Sequence, residues 1–125
     1  AHHPTEIKMV VDTLKERYPE SKRAVIFQPH LFSRTQDFME DFATILSEFD
    51  EVLLMDIYPA RELPINGITS EVLLEKISCL NKRKILKNEL VEWVDKIEAN
   101  VIAVLGAGDI GNEVNKIKKL VQNEG

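Results

Sequence analysis

Short unbroken apolar runs alternate along this chain with longer stretches in which apolar residues recur every three or four positions. The runs 24–27 and 101–105 contain only apolar residues, and the run 52–58 contains a single charged residue. Such runs are typical of strands that are covered on both faces, as in a parallel sheet. With a weaker strand at 85–86, the pattern predicts the element order α-β-α-β-α-β-α-β-α.

Local signals mark the ends of the predicted helices. Pro4 suits the first turn of the first helix, because that turn does not use the missing N–H, and Pro19 helps to end it. Ser33 followed by Gln36 matches a capping box and predicts the start of the second helix. Asn88 is the predicted cap of the fourth helix.

This alternation predicts an α/β fold, in which residues 1–125 form a single three-layer Rossmann-like domain with a mostly parallel sheet and helices on both faces. A length of 125 residues, 44% of them hydrophobic, is sufficient for one such core.

Composition excludes several classes of function. The formal net charge of −5 argues against general binding to the phosphate backbone of nucleic acids. No apolar run approaches the length of a membrane span. The single cysteine, Cys79, cannot form an internal disulfide, which favours a reducing, cytoplasmic location. Because the chain starts at Ala1 with neither a Met nor a signal peptide, we expect it to be a piece of a longer protein.

Three predicted strand ends carry unusual residues. They are the segments 28–35 and 56–62 and the glycine-rich segment 106–111. A long loop, 59–69, belongs to the second, and long ordered loops are often functional. Ligands of parallel sheets bind at the edge formed by the carboxyl ends of the strands. We therefore expect the functional site at that edge.

The segment 106–111 matches the G-x-G-x-x-G pattern of dinucleotide-binding proteins. That fingerprint belongs to a unit of about 30 residues with an acidic residue about 20 positions further on. Only 14 residues follow Gly111, so the sequence argues against a dinucleotide site. Tight packing of small residues and contact with an anion or substrate remain open for this loop.

Asp56 suggests a different alternative, the phosphoacceptor of a two-component receiver domain. A receiver also needs an acidic pair at the end of its first strand and a Lys at the end of a later one. The strand ends compared here, 28–30 and 105–107, contain neither. Asp56 is then a polar residue that leaves the sheet and can cap a loop.

The remaining His, Cys and Trp residues do not by themselves indicate a catalytic or metal site. His2 and His3 are too few to identify a purification tag, and adjacent side chains on an extended chain point in opposite directions, which argues against a metal pair. Cys79 and Trp93 lie within or beside helical stripes, where packing is their predicted role.

Arg34 falls in the first turn of the second predicted helix, where the helix dipole disfavours a cation by roughly a few tenths of a kcal/mol. A cation beside exposed N–H groups suggests that Arg34 helps to hold an anion. A guanidinium can bind a carboxylate through two hydrogen bonds. The alternative is a solvated surface arginine.

Four segments together resemble one known family. They read His-His-Pro-Thr-Glu at 2–6, Phe-Gln-Pro-His-Leu-Phe-Ser-Arg-Thr at 27–35, Asp-Ile-Tyr-Pro-Ala-Arg-Glu at 56–62 and Gly-Ala-Gly-Asp-Ile-Gly at 106–111. In order and spacing they resemble the C-terminal domain of the Mur ligases. The first two segments are typical of the alanine-adding members, and the resemblance covers essentially the whole chain.

This resemblance implies a three-domain, ATP-dependent ligase of peptidoglycan synthesis, of which this chain is the closing domain. ATP, with Mg²⁺, would phosphorylate the carboxylate of UDP-N-acetylmuramate to an acyl phosphate, which the amine of L-alanine then attacks. The partners would be an N-terminal domain for the UDP-sugar and a central domain with the ATP-binding P-loop, without nucleic acid or membrane. Because this chain has no P-loop, we expect the fragment alone to be inactive.

The resemblance also assigns residues individually. Arg34 matches the position that holds the alanine carboxylate, and His30 matches one that orients it. Many relatives have a second Arg where this chain has Leu31. His2 and His3 match a segment that enters the region of ATP and the acyl phosphate, and no catalytic or metal-binding residue is assigned. Residues expected at the active-site edge without a defined role are Arg61, Glu62, Gly106, Gly108, Asp109 and Gly111.

Two other classes of function remain as alternatives. One is a nucleotide- or dinucleotide-binding module of another enzyme, which tight binding of NAD would favour. The other is a non-catalytic receiver-like domain, which phosphorylation of Asp56 by a small phosphodonor would favour.

Overall fold

Four parallel strands form one sheet in a computed structural model that describes residues 3–106. The strand order is β3-β2-β1-β4, and all three pairings are parallel. In chain order the elements are α1 (Pro4–Arg17), β1 (Arg23–Gln28), α2 (Phe32–Asp37), α3 (Met39–Leu46), β2 (Glu51–Leu54), α4 (Ser70–Lys76), β3 (Asn81–Lys84), a 3-10 turn (Lys87–Glu89), α5 (Leu90–Lys96) and β4 (Val101–Gly106).

Two apolar clusters lie on opposite faces of the sheet. Val25 and Phe27 of β1 pack with α1, α3 and α4 on one face. Ala24 and Ile26 pack with α5 on the other. Because successive side chains of a strand point to opposite faces, a strand covered on both sides has to be apolar throughout. The three-layer α/β fold with helices on both faces is thereby confirmed.

Two predicted helix boundaries are confirmed and two are wrong. Helix α1 begins at Pro4 and ends at Arg17, two residues before Pro19, as predicted. The predicted second helix is divided into α2 and α3, because Phe38 has a non-helical backbone. The residue before α2 is Leu31, whose side chain makes no cap hydrogen bond, so the predicted capping box of Ser33 is wrong. Asn88 lies inside the 3-10 turn and caps no helix.

The strand predicted at 85–86 lies instead at Asn81–Lys84, a segment with three charged residues. Strand β3 lies at one end of the described strand order and has fewer neighbours than β1, and charged residues are typical of sheet edges. Ile85 follows the strand as a buried core residue, and its N–H donates to the Leu54 carbonyl at 2.9 Å. Strand β2 also ends at Leu54, four residues earlier than predicted.

Gly106 ends β4 opposite Gln28, the last residue of β1. Its φ is +139°, and a β-carbon at this position would lie 2.7 Å from the Gln28 carbonyl oxygen. The first glycine of the predicted loop therefore allows the ends of β1 and β4 to approach each other closely, which a side chain at this position would prevent. The other residues predicted at this loop, Gly108, Asp109 and Gly111, lie outside the described residues, as do His2 and the predicted last helix.

Candidate functional site

The segments 28–35 and 56–62 lie side by side at the carboxyl edge of the sheet, as predicted. Pairing between them continues past β1 and β2, because the Tyr58 N–H donates to the Pro29 carbonyl and the Leu31 N–H donates to the Tyr58 carbonyl, both at 2.8 Å. The His30 and Tyr58 rings stack with their centroids 5.7 Å apart and their planes 14° from parallel. Tyr58 is a site residue that the sequence analysis missed.

We refer to residues 30–35 as the Arg34 turn. Leu31 within it has a φ of +72°, a backbone conformation that residues other than glycine adopt only at a cost in free energy. The carbonyl of Leu31 accepts hydrogen bonds from the backbone N–H of Thr35 at 3.1 Å and from its hydroxyl at 2.8 Å. Since Thr35 is fully buried, the turn is held from within the domain.

Arg34 projects from this turn and is half-buried. Among residues 3–106, no carboxylate lies within ion-pair distance of its guanidinium. A partly desolvated cation without an internal counter-ion can take a carboxylate from outside the domain.

Glu62 occupies the N-terminal end of α2. Its carboxylate accepts a hydrogen bond from the Ser33 N–H at 3.1 Å and a second from the Ser33 hydroxyl. These hydrogen bonds lower the pKa of Glu62. The sequence analysis expected exposed N–H groups beside Arg34, and that expectation is wrong where the Ser33 N–H is concerned.

The loop 59–69 carries Glu62 and is fixed at both ends. At its start the Glu62 N–H donates to the Pro59 carbonyl at 2.9 Å, around Ala60 with a φ of +54°. At its end the buried Ser70 hydroxyl donates to the Met55 carbonyl at 2.5 Å. Arg61 is exposed on this loop, and its place at the active-site edge stays a prediction.

A group of three charged residues, the Lys84 cluster, lies further out along the same edge. The ammonium group of Lys84 is 2.8 Å from a carboxylate oxygen of Asp56 and 2.8 Å from one of Glu71. These contacts raise the pKa of Lys84 and lower that of Glu71. The two strand ends compared in the sequence analysis contain no Lys, but Asp56 has a lysine partner at a third strand end, because Lys84 ends β3. The acidic pair of a receiver is still missing, since the end of β1 is Gln28.

His3 caps the start of α1. Its ring Nδ1 accepts a hydrogen bond from the Thr5 N–H at 3.0 Å, and the backbone N–H of His3 donates to the Glu6 carboxylate at 3.1 Å. The ring also contacts Phe38 edge-on, with the centroids 4.8 Å apart. The Nδ1 atom is thus engaged by the backbone of α1.

The residues assigned to packing do pack. Cys79 lies against one core cluster, and burial raises the pKa of its thiol. Trp93 packs against the other cluster, with Arg83 and Lys96 within 4.3 and 4.6 Å of its ring centroid.

A groove of about 320 Å³ beside Trp93 reaches the first residues of β2 and β3, at the opposite edge of the sheet. In the part of the chain that the structure describes, no helix is long and apolar enough to cross a membrane.

Comparison with known proteins gives consistent results. The family model for the Mur ligase, glutamate ligase domain matches residues 1–111. The UDP-N-acetylmuramate–L-alanine ligases of Christiangramia forsetii and Flavobacterium psychrophilum are 58% identical to this chain over 99% and 95% of its length. The chain spans 27% of the length of each of these two relatives.

Solved structures resemble the chain over its whole length. The crystal structure of the UDP-N-acetylmuramate–alanine ligase of Thermotoga maritima matches 100% of this chain with 26% of its own, at 26% identity and a TM-score of 0.70. A domain of a putative ligase from Haemophilus ducreyi, at 20% identity and a TM-score of 0.65, shares the fold. Since the family model spans most of the sequence, the chain belongs to the Mur ligase family as its glutamate ligase domain.

Proposed function

We propose that this chain is the domain of an ATP-dependent ligase that binds L-alanine for its addition to UDP-N-acetylmuramate in peptidoglycan synthesis. The names of the relatives support the reaction. One observation supports the role that we assign to this domain. Arg34 is half-buried at the carboxyl edge of the sheet and has no acidic partner among residues 3–106. The α-carboxylate of an amino acid supplies the missing anion.

In this proposal the Arg34 turn orients the amino acid. The guanidinium of Arg34 holds the carboxylate through two hydrogen bonds, and His30, stacked on Tyr58, limits how the amino acid can rotate. The amine then faces the acyl phosphate of the sugar. A C–N bond forms as the C–O bond to phosphate breaks, the amine gives up a proton, and phosphate leaves. Positioning of the amine contributes through proximity and orientation.

ATP and Mg²⁺ belong mainly to other parts of the enzyme in this proposal. Residues 3–106 contain no group of three or more His, Cys, Asp or Glu side chains placed to hold a metal ion, and the 125-residue sequence has no P-loop. We therefore assign no Mg²⁺ ligand to the described residues. Residues 1–125 would be the C-terminal domain of a three-domain cytoplasmic enzyme, with His2 and His3 directed to the region of ATP and the acyl phosphate.

Replacing Arg34 in the full-length ligase tests the proposal. Loss of a charge-assisted hydrogen bond to a carboxylate costs about 1.5–3 kcal/mol. Arg34→Ala should therefore raise the KM for alanine by roughly 10- to 150-fold, with the KM for ATP within about twofold of the unaltered enzyme. Arg83→Ala is the matched control, because the Arg83 guanidinium stacks on Trp93 away from this edge.

An unchanged KM for alanine in Arg34→Ala would remove Arg34 from the alanine site. Alanine-dependent ATP turnover by the purified 125-residue chain would contradict the assignment of ATP and the UDP-sugar to other domains. Both results come from the same coupled assay of phosphate release.

A further inference from the structure

Glu62 belongs to the loop 59–69 and not to the helix on which it acts. Ser33 and Glu62 are 29 residues apart in sequence, yet the Glu62 carboxylate accepts hydrogen bonds from both the N–H and the hydroxyl of Ser33. Ser33 directly precedes Arg34. A carboxylate at this place stabilises the first turn of a helix, since the first N–H groups have no partner within it.

The helix that Glu62 contacts depends on such support. Helix α2 has only six residues, and no side chain of its own caps it. The residue before it, Leu31, has a φ of +72°. A short helix that starts from a strained residue is not stable by itself, so the direction of the Arg34 side chain is set by contacts from outside the helix.

These observations lead to a role for the carboxylate. We propose that Glu62 is a positioning residue of the alanine site, which fixes the first turn of α2 and so directs Arg34 towards the substrate carboxylate. This inference rests on the proposed function. It also implies that the amino acid is held by side chains and not by the Ser33 N–H, because Glu62 already occupies that donor.

An opposite interpretation is testable alongside it. Glu62 could act as an internal competitor that occupies the place of the substrate carboxylate, and its removal would then improve alanine binding. The positioning role requires the reverse, a weaker affinity for alanine when the carboxylate is lost.

Kinetics of the full-length ligase distinguish the two. Glu62→Gln should raise the KM for alanine by about 3- to 30-fold, the range for loss of a helix cap, with kcat and the KM for ATP within about twofold. Glu62→Asp, which keeps the charge, should recover part of the loss. The matched control is Glu89→Gln, because Glu89 also accepts a hydrogen bond from a backbone N–H, that of Leu86, at a helix start on the other face of the sheet.

Coupling to Arg34 shows whether Glu62 acts through it. In an Arg34→Ala background, Glu62→Gln should change the KM for alanine by less than about twofold, because the group it positions is already absent. An additive effect, an unchanged or lower KM for alanine in Glu62→Gln, or an equal rise in the KM for ATP would each overturn the positioning role.

Hydrogen exchange separates this inference from the function on which it rests. In the full-length protein, Glu62→Gln should increase the exchange of amides in residues 31–38 by about 3- to 30-fold and leave residues 90–96 unchanged. If the unaltered protein shows no alanine-dependent turnover, the proposed function fails, whatever the exchange shows. If exchange in residues 31–38 is the same in the variant, Glu62 does not hold the turn and the inference fails.

Discussion

The Arg34 turn and the Lys84 cluster lie along the same edge of the sheet and handle charge in opposite ways. Lys84 has two carboxylate partners within its own domain, both at 2.8 Å. Arg34 has none among residues 3–106, although Glu62 lies close enough to contact the neighbouring Ser33. The Glu62 carboxylate is instead directed to the backbone N–H and the hydroxyl of Ser33.

This difference separates charges that hold the fold from charges that serve a ligand. A cation whose partners are internal gains little from a further anion. A guanidinium without them, set on a turn that is braced by Thr35 and Glu62, keeps its hydrogen-bond donors for a substrate. Changes at the Arg34 turn should therefore affect substrate binding, and changes at the Lys84 cluster should affect stability alone.

The largest effect on stability is expected where the end of β4 approaches the last residue of β1. Gly106→Ala would place a β-carbon 2.7 Å from the Gln28 carbonyl oxygen, at a φ of +139°. We expect a loss of about 2–5 kcal/mol, from roughly 1–2 for the backbone conformation and about 1–3 for the overlap. Urea denaturation of the 125-residue chain measures it.

Gly67→Ala provides the control for this substitution. Gly67 also has a positive φ, +82°, but no atom lies within 4 Å of the position that a β-carbon would take. Its loss should be limited to about 1–2 kcal/mol. Equal losses in both variants would show that the close approach of Gly106 to Gln28 adds nothing to the cost of the substitution.

A smaller effect is expected at the Lys84 cluster. Lys84→Met removes both ion pairs and leaves Asp56 and Glu71 facing each other, which should cost about 1 kcal/mol because the two acids remain largely exposed. The KM for alanine in the full-length ligase should stay within about twofold. A rise comparable to that of Arg34→Ala would erase the distinction between the two regions. Lys76→Met, which removes a single exposed pair with Glu40, is the control.

The inner strands could be predicted because their burial determines their sequence. Strand β1 is covered on both faces, so residues 24–27 are all apolar and fully buried. Strand β3 could not be predicted in the same way, since it lies at the sheet edge and three of its four residues are charged. Its position follows from pairing with β2, a tertiary contact that no local pattern records.

The site shows the same division. Topology alone places His30 and Arg34 beside the segment 56–62, because parallel strands end at one edge. Local pattern assigned the wrong partner to Ser33, since Gln36 fits a capping box, whereas the observed partner is Glu62. The strained backbone of Leu31 leaves no signal in the sequence either, because the contacts that impose it come from other parts of the fold.

The smallest effect that we expect concerns the pH dependence of the Lys84 cluster. The hydrogen bond from Lys84 lowers the pKa of Glu71 in the folded protein, while the unfolded value is about 4.3. A lowered folded pKa means that Glu71 contributes stability above the unfolded value and loses it as the pH falls through the folded one. Since Glu71 is exposed, screening limits this contribution to roughly a few tenths of a kcal/mol.

Glu71→Gln should therefore make the free energy of unfolding less dependent on pH between about 5 and 3. Urea denaturation of the 125-residue chain at several pH values measures the difference from the unaltered chain. Glu75→Gln, in the same helix and without an ion pair among the described residues, should leave the profile unchanged. If Glu71→Gln also leaves it unchanged, Glu71 gains nothing from Lys84, and the cluster reduces to the single ion pair between Lys84 and Asp56.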